Sequence, residues 1–322
     1  MKKQSIILFI LLSAGLLANA QKEFRLAKAT GQLKLNIGGA IVEGYDGKEI
    51  IFSSKDAIKE EVDERAKGLV AVSGSGYTDN TGLGISVTEN GQEALVNIVS
   101  KRPIGILTIK VPQHMKVSFS NNSPLNSDEL IIKNLKGEIE VSTSYNKVKL
   151  ENNTGPMNIK TIHSPIDAIF NNDIKGPISI ISVYGYVDVA MPSSSKANVE
   201  LGTSYGKLYA GKEFKIDFEK TEVERKTDSG LFTVGSQITR NNGNEKAASG
   251  GTITGTTTGP AKPTNTTIIS GSGQTTIFST SNGLNYAFGS SYGGDQIKGK
   301  LNGGGIDFIL KSTHKNVYLR EK

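Results

Sequence analysis

Cysteine is absent from the 322-residue chain, and so is tryptophan. Without a thiol there is no disulfide, no thiolate metal site, no cysteine nucleophile and no lipid-bearing cysteine of the bacterial lipoprotein kind. The fold must be held by packing and backbone pairing alone. Histidine occurs only three times, at His114, His163 and His314. These lie far apart and lack the paired spacing of a zinc site. Aromatic residues are 7% of the chain, so the core must be largely aliphatic. Beyond residue 20 no stretch is apolar enough to cross a bilayer as a helix, which predicts no integral membrane segment in the mature chain. Charge of one sign is not concentrated anywhere: 37 basic residues stand against 31 acidic ones, for a formal charge of +6. No basic stripe interleaved with aromatics exists, which argues against a nucleic-acid partner. A weak attraction to anionic glycan or lipid is compatible with the surplus.

What is present begins with a leader. Lys2 and Lys3 precede an apolar run from Ile6 to Leu12, and Ala18-Asn19-Ala20 forms a small-x-small cleavage site before Gln21. This predicts a secretory signal peptide over residues 1–20 and an exported mature chain, located in the periplasm, on the outer surface or in the medium. Cleavage removes two lysines and leaves 35 basic residues against 31 acidic, or +4.

The body carries a repeat. Counting from Gly137, apolar or small residues fall at +2 (Ile139), +4 (Val141) and +6 (Thr143), then Tyr145 at +8, Val148 at +11 and Leu150 at +13. The same template fits from Gly155, from Gly176 and from Ala197, at spacings of 18, 21 and 21 residues. Each unit reads as two short strands of period two joined by a bend near +8. A period of this length is the signature of stacked units that bury their apolar faces only against neighbours. The predicted fold is therefore all-β, a β-solenoid or β-helix-like stack of short two-strand rungs, with a meandering β-sandwich as the alternative. Val141, Ile159, Ile180 and Leu201 should form one inward column of four consecutive rungs. Glycine at the start of a unit is expected to supply a backbone conformation that other residues resist.

Around the repeat, Gly31–Ser54 predicts three strands with a turn at Tyr45-Asp46-Gly47, and Gly82–Ser100 a hairpin around Glu89-Asn90-Gly91. Residues 55–67 suit a short helix or a charged loop. Asn241–Pro263 is rich in Gly, Thr, Asn, Lys and Pro and predicts a flexible insert. The expected organisation is a leader over 1–20, a repeat body over 21–240, the insert over 241–263 and further rungs of the same body over 264–322. Within the last, Phe308, Leu310, Val317 and Leu319 point inward.

"IVEGYDGKEIIF", "LTIKVPQHMKVSFS", the Gly-x-Ile-x-Val-x-Thr rungs and the closing "GGGIDFILKSTHKNVYL" together resemble the bacterial putative-adhesin β-repeat family, common in envelope proteins of Bacteroidetes-like bacteria. The resemblance covers most of residues 22–322. It implies an exported solenoid-like protein with no assigned catalytic site, and it carries over no catalytic residues.

Motifs for chemistry are poor. Gly289-Ser290-Ser291-Tyr292-Gly293 has the letters of a nucleophile elbow, but no helix pattern follows it. Gly294–Lys300 has phosphate-loop spacing, yet Leu301 stands where Ser or Thr is required, so a turn is expected. Glu138 and Glu140 flank inward residues on one strand and should face solvent together. The candidate binding residues are the +8 column: Tyr145, His163, Tyr184 and Tyr205. A row of rings at rung spacing could meet sugar rings, or could simply close the bends as a structural ladder. Asn152-Asn153 and Asn171-Asn172 read as an asparagine ladder at the opposite bend. No cofactor and no metal are expected. The function expected is that of a non-catalytic envelope or secreted scaffold that binds glycan or a cell-surface protein. The alternatives are a polysaccharide-acting enzyme on a β-helix and a purely structural or regulatory envelope protein.

Overall fold

A computed structural model describes residues 22–55, 64–69, 72–74, 76–99, 105–219 and 295–322, together with the backbone of strands at 265–270, 273–279 and 285–289. The leader and the insert over 241–263 lie outside the described residues, as does most of the segment 55–67. What is described of that segment is a single 3-10 turn at Glu64–Ala66. Among the described residues there is no α-helix.

Two compact units are present, one comprising the chain up to Glu219 with Asp295–Lys322, the other Lys220–Gly294. The smaller unit contains an antiparallel meander of Asn265–Ser270, Gly273–Ser279 and Asn285–Gly289. The larger is all-β, built from two large mixed sheets. The first runs, in spatial order, Glu23–Leu26, Ile50–Lys55, Ile106–Pro112, Ala40–Tyr45, Leu130–Lys133, Val148–Glu151, Ile166–Ile169, Val187–Met191, Val317–Glu321, Leu208–Ala210. The second runs Ile216–Phe218, Asp295–Leu301, Ala197–Thr203, Ile306–Ser312, Ile178–Ser182, Met157–Thr161, Ile139–Thr143, Lys116–Asn121, Gln32–Asn36, Glu93–Ile98, Ile85–Asn90. Central pairings are parallel. Antiparallel strands finish both ends of the second sheet, including the hairpin Ile85–Asn90/Glu93–Ile98 that the sequence predicts, and one end of the first, whose other end is the parallel strand Leu208–Ala210.

Within the repeat, the first strand of each unit enters the second sheet and the second strand enters the first. Alternation then fixes the core, because successive side chains leave a strand on opposite faces. Register pairs Leu35 with Phe119, Phe119 with Val141, Val141 with Ile159, and Ile159 with Ile180. All five are at most 1% exposed. A matching column on the other sheet joins Val42, Ile132, Leu150, Ala168, Val189 and Leu319.

The order of units departs from expectation at one place. Ile180 pairs with Leu310, and Leu310 with Leu201. The C-terminal strands Ile306–Ser312 and Val317–Glu321 are thus intercalated between the third unit and the Ala197 unit, which are not neighbours. Counted from Ile306, this rung fits the same template: Phe308, Leu310, Ser312, His314, Val317 and Leu319 occupy +2, +4, +6, +8, +11 and +13. An open parallel edge accepts whichever chain segment presents matching alternation, and sequence adjacency does not decide which one arrives.

The glycines need a second correction. Gly137 and Gly155 do not have positive φ. A Cβ on Gly155 would lie 2.2 Å from the Gly137 carbonyl oxygen, and one on Gly137 2.1 Å from that of Met115. Close approach of one rung to the next demands glycine here. The left-handed positions are instead held by Asn134 (φ 59°) and Asn152 (φ 53°) at the ends of their second strands, a conformation asparagine tolerates. Of the expected turn at Gly294–Lys300, Gly294 lies outside the described residues and the rest is strand, Asp295–Leu301.

Candidate functional site

The bend at +8 is built by the residue two places before it. Thr161, Ser182, Thr203 and Ser312 are buried at +6. The Ser182 hydroxyl accepts the Gly185 amide at 2.9 Å and donates to the Ser164 carbonyl of the preceding rung at 3.0 Å. Ser312 repeats this with the Lys315 amide (3.0 Å) and the Gly185 carbonyl (2.7 Å). Thr203 does so with the Gly206 amide (3.0 Å) and the Lys315 carbonyl (3.0 Å). The hydroxyls of Ser182, Ser312 and Thr203 therefore each tie their own bend to the one beneath it, while that of Thr161 bonds the Ser164 carbonyl of its own bend and meets the Ser182 hydroxyl at 3.1 Å. Such double use satisfies groups that would otherwise be buried unpaired. The ring residues are pinned through their backbones as well: Tyr184 N–H donates to Ile162 O at 2.7 Å and His314 N–H to Val183 O at 2.9 Å.

On these bends the side chains form one row. Tyr145 stacks on His163 with ring centroids 4.8 Å apart, His163 on Tyr184 at 5.2 Å, Tyr184 on His314 at 4.5 Å and His314 on Tyr205 at 4.9 Å. Interplanar angles are 4–13°. The structure thus brings Tyr145, His163, Tyr184 and Tyr205 together and adds His314, which the four-unit count omits. The recurring Ser/Thr-x-Tyr/His triplet, present again at Ser312-Thr313-His314, is the signal that could have found it. His114 does not join the row.

The geometry limits what the row offers. Inner rings spend both faces on their neighbours, so what they turn to solvent is an edge: phenol hydroxyl or imidazole nitrogen. Exposure is 39% at Tyr145, 47% at Tyr184 and 64% at the last ring, Tyr205, while His314 between the last two is half-buried. At the opposite bend, the Asn171 amide donates to Asn152 Oδ1 at 2.9 Å. Asn153 is buried and bonds the backbone of Leu135 and Ile132 in the preceding rung. The asparagines knit rungs together.

A second aromatic group, which sequence reasoning missed, lies on the outer face of the first sheet. Tyr318 stacks on Tyr209 at 5.2 Å and meets Tyr186 edge-on at 6.4 Å. The Arg320 guanidinium lies 4.8 Å from the Tyr318 ring centroid and donates to both Asp188 oxygens at 2.8 Å. Asp188 holds Arg320 above its ordinary pKa range. Burial, and then the Asp167 carboxylate, push the Tyr186 phenol up.

Among the described residues no three His, Asp or Glu side chains are placed to share a metal ion. Glu138 pairs with Lys116 at 3.0 Å on the surface. Lys160, buried on the outer face of the second sheet, is pushed down to about 8 by burial, with Glu140 pulling the other way.

No family model matches the chain, and no curated protein matches it. Among solved structures, this chain is similar over 94% of its length to the whole of a crystal structure named "putative cell adhesion protein" from Clostridium sporogenes, at 11% identity and a TM-score of 0.36. Among the described residues no helix is long and apolar enough to cross a membrane.

Proposed function

We propose that this protein is an exported, non-catalytic envelope or secreted scaffold of the adhesin-like kind, whose body is a β-solenoid-like coil that displays a binding ridge. Two features support the coil. Strands of each unit alternate between the sheets, and each pairs in parallel, in register, with the equivalent strand of its neighbour. The leader over residues 1–20 and the resemblance to envelope β-repeat proteins support export.

The observation that carries the binding role is the five-ring row. Its rings sit on bends locked by buried hydroxyls, so they are ordered before any partner arrives. A rigid aromatic side chain with two torsions loses little freedom on contact. Ring edges at rung spacing suit an extended hydroxylated partner, a glycan strand or a cell-surface glycoprotein.

Adsorption of the mature chain to intact cells and isolated envelopes tests this, with Tyr184→Ala as the variant. A binding row loses adsorption on that change while the melting temperature stays close to wild type. A row that serves only to close bends gives the opposite: a lower melting temperature with adsorption unchanged.

A further inference from the structure

The strands Asp295–Leu301 and Ile306–Ser312 grip a third strand from both sides. The first runs antiparallel along one edge of Ala197–Thr203, in seven register pairs, and the second runs parallel along the other. Between them the chain crosses the start of the gripped strand through residues 302–305. Asn302, Gly303 and Gly304 take φ of 50°, 85° and 86°, a left-handed run that asparagine and glycine allow. The Asn302 amide donates to the Ser193 and Ser195 carbonyls at 2.7 Å each, and the Asn198 amide to the Gly305 carbonyl at 2.9 Å. Residues 295–322 are therefore one piece, a clasp.

The clasp fills a slot. On one side of it stand Ile178–Ser182 and Val187–Met191, on the other Ala197–Thr203 and Leu208–Ala210. Phe308, Leu310, Val317 and Leu319 enter the core there and are at most 1% exposed. Thr313 N–H donates to Ser182 O at 3.1 Å, and Ser204 N–H to Thr313 O at 3.2 Å, so the bend is bonded on both sides as well. His314 completes the ring row between Tyr184 and Tyr205. Covalently, the clasp joins the rest of its unit only through the 75 residues from Lys220 to Gly294. No cysteine exists to fix it further. Every wall that it meets is one that a second copy of this chain presents identically.

We propose that the slot accepts the clasp of a second copy, so that two chains assemble by exchanging residues 295–322. Exchange conserves every contact of the clasp, and the two arrangements differ only in which chain supplies it. A chain's own clasp is favoured by the effective concentration that its tether confers, ~mM at best and lower as the tether lengthens. An interval as long as 220–294 therefore lets a concentrated second copy compete. In the exchanged pair each ring row is shared, with Tyr184 and Tyr205 from one copy and His314 from the other. The row is whole only where a clasp, own or exchanged, is seated. The exchange follows from the strand pairing and does not depend on what the row binds.

Cross-linking through introduced cysteines is the test, because the chain has none of its own. Ser179 and Ile309 are register partners across the slot, at the strand spacing of ~4.8 Å that a disulfide can bridge. Full mature chains carrying Ser179→Cys and Ile309→Cys separately are unfolded in urea, mixed, refolded over a range of concentrations and oxidised. An interchain 179–309 disulfide is expected, located by mass spectrometry in a species of two-chain mass by light scattering. Its fraction should rise in proportion to protein concentration while it is small. Exchange gives that link alone, whereas collision between surfaces gives 179–179 and 309–309 links as well. The double variant Ser179→Cys/Ile309→Cys closes the bond within one monomer at high dilution and calibrates the signal. Ala190→Cys with Arg320→Cys, partners across the slot on the other sheet, repeats the test should the first pair hinder folding or fail to close. One-chain mass at every concentration overturns the proposal. So does two-chain mass without the cross-slot link, or all three kinds of link at the random ratio. Adsorption to cells is a separate measurement, so its failure leaves the exchange standing, and failure of the exchange leaves the scaffold reading standing.

Discussion

At the level of single residues, three positions carry different physics. Ile180 is fully buried, with Ile159 and Leu310 in register on either side. Truncating it removes contacts to both neighbours and leaves a cavity that two packed sheets cannot easily collapse. Ile180→Ala is expected to cost ~2–5 kcal/mol by urea denaturation. Thr143 is also buried, but its hydroxyl does the work, donating to Asn121 O at 2.9 Å. Thr143→Ala is expected to cost ~1–2 kcal/mol, less than Ile180→Ala, because the groups it strands lie beside a bend. A larger loss at Thr143 would contradict the assigned register. Lys160 behaves differently again. Its pKa in the fold, about 8, lies below the ordinary 10.5, so between those values the unfolded chain binds more protons than the folded one. Stability from this residue therefore rises as pH increases from 8 to 10.5 and is lowest at neutral pH. Lys160→Met should stabilise the protein at pH 7 by about 1–3 kcal/mol. Its advantage should shrink as pH climbs through that window, and a constant advantage would show that titration of Lys160 is not the cause.

Considered as elements, the rungs explain what could be read in advance. The inward residues at +2, +4, +11 and +13 follow from period-two alternation, a local property, and they are buried in the Gly137, Gly155, Gly176 and Ile306 rungs; in the Ala197 unit, whose second strand lies at the sheet edge, Leu208 is half-buried and Ala210 exposed. Tyr145, His163, Tyr184 and Tyr205 could be grouped for the same reason. What escaped was non-local. The Ile306 rung satisfies the template as well as its neighbours do, yet its place beside Ile180 is a pairing between segments far apart in the chain, which no local pattern reports. His314 was missed with it. Tyr209, Tyr318, Tyr186 and Arg320 come from three rungs separated along the chain, and nothing local marks them as neighbours. The role of glycine at the unit starts was misread because a close approach between rungs leaves no trace in the sequence of either. The hydroxyl ladder gives a test at this scale. Ser182 is fully buried, accepting one bend's amide and donating to the next bend's carbonyl. Ser182→Ala strands both and is expected to cost ~1–3 kcal/mol. Far-ultraviolet dichroism should stay that of a β protein, since the flanking ladders remain paired.

For the whole molecule, chain connectivity leads to the last prediction. The larger unit is left at Glu219 and re-entered at Asp295. Both ends belong to strands that already pair: Ile216 with Leu301 and Phe218 with Gly299. The Glu219 amide continues that ladder, donating to Lys298 O at 2.8 Å. Asp295 is three residues beyond Lys298, an overhang of about 10 Å at the rise of a strand. A linker of about six polar residues containing Asn-Gly can close that span without pulling either strand out of register. Replacing 220–294 in this way removes no residue from either core column or from the five-ring row. The shortened chain is expected to express as a soluble β protein with a melting temperature within about 5 °C of the full chain. It should retain adsorption to intact cells at wild-type strength. If instead it aggregates, or melts well below the full chain, then the stack depends on residues 220–294 and the larger unit is not self-sufficient. If it folds at full stability but no longer adsorbs, the five-ring row is not the whole of the recognition surface. Circular dichroism melting and one adsorption measurement distinguish the three results.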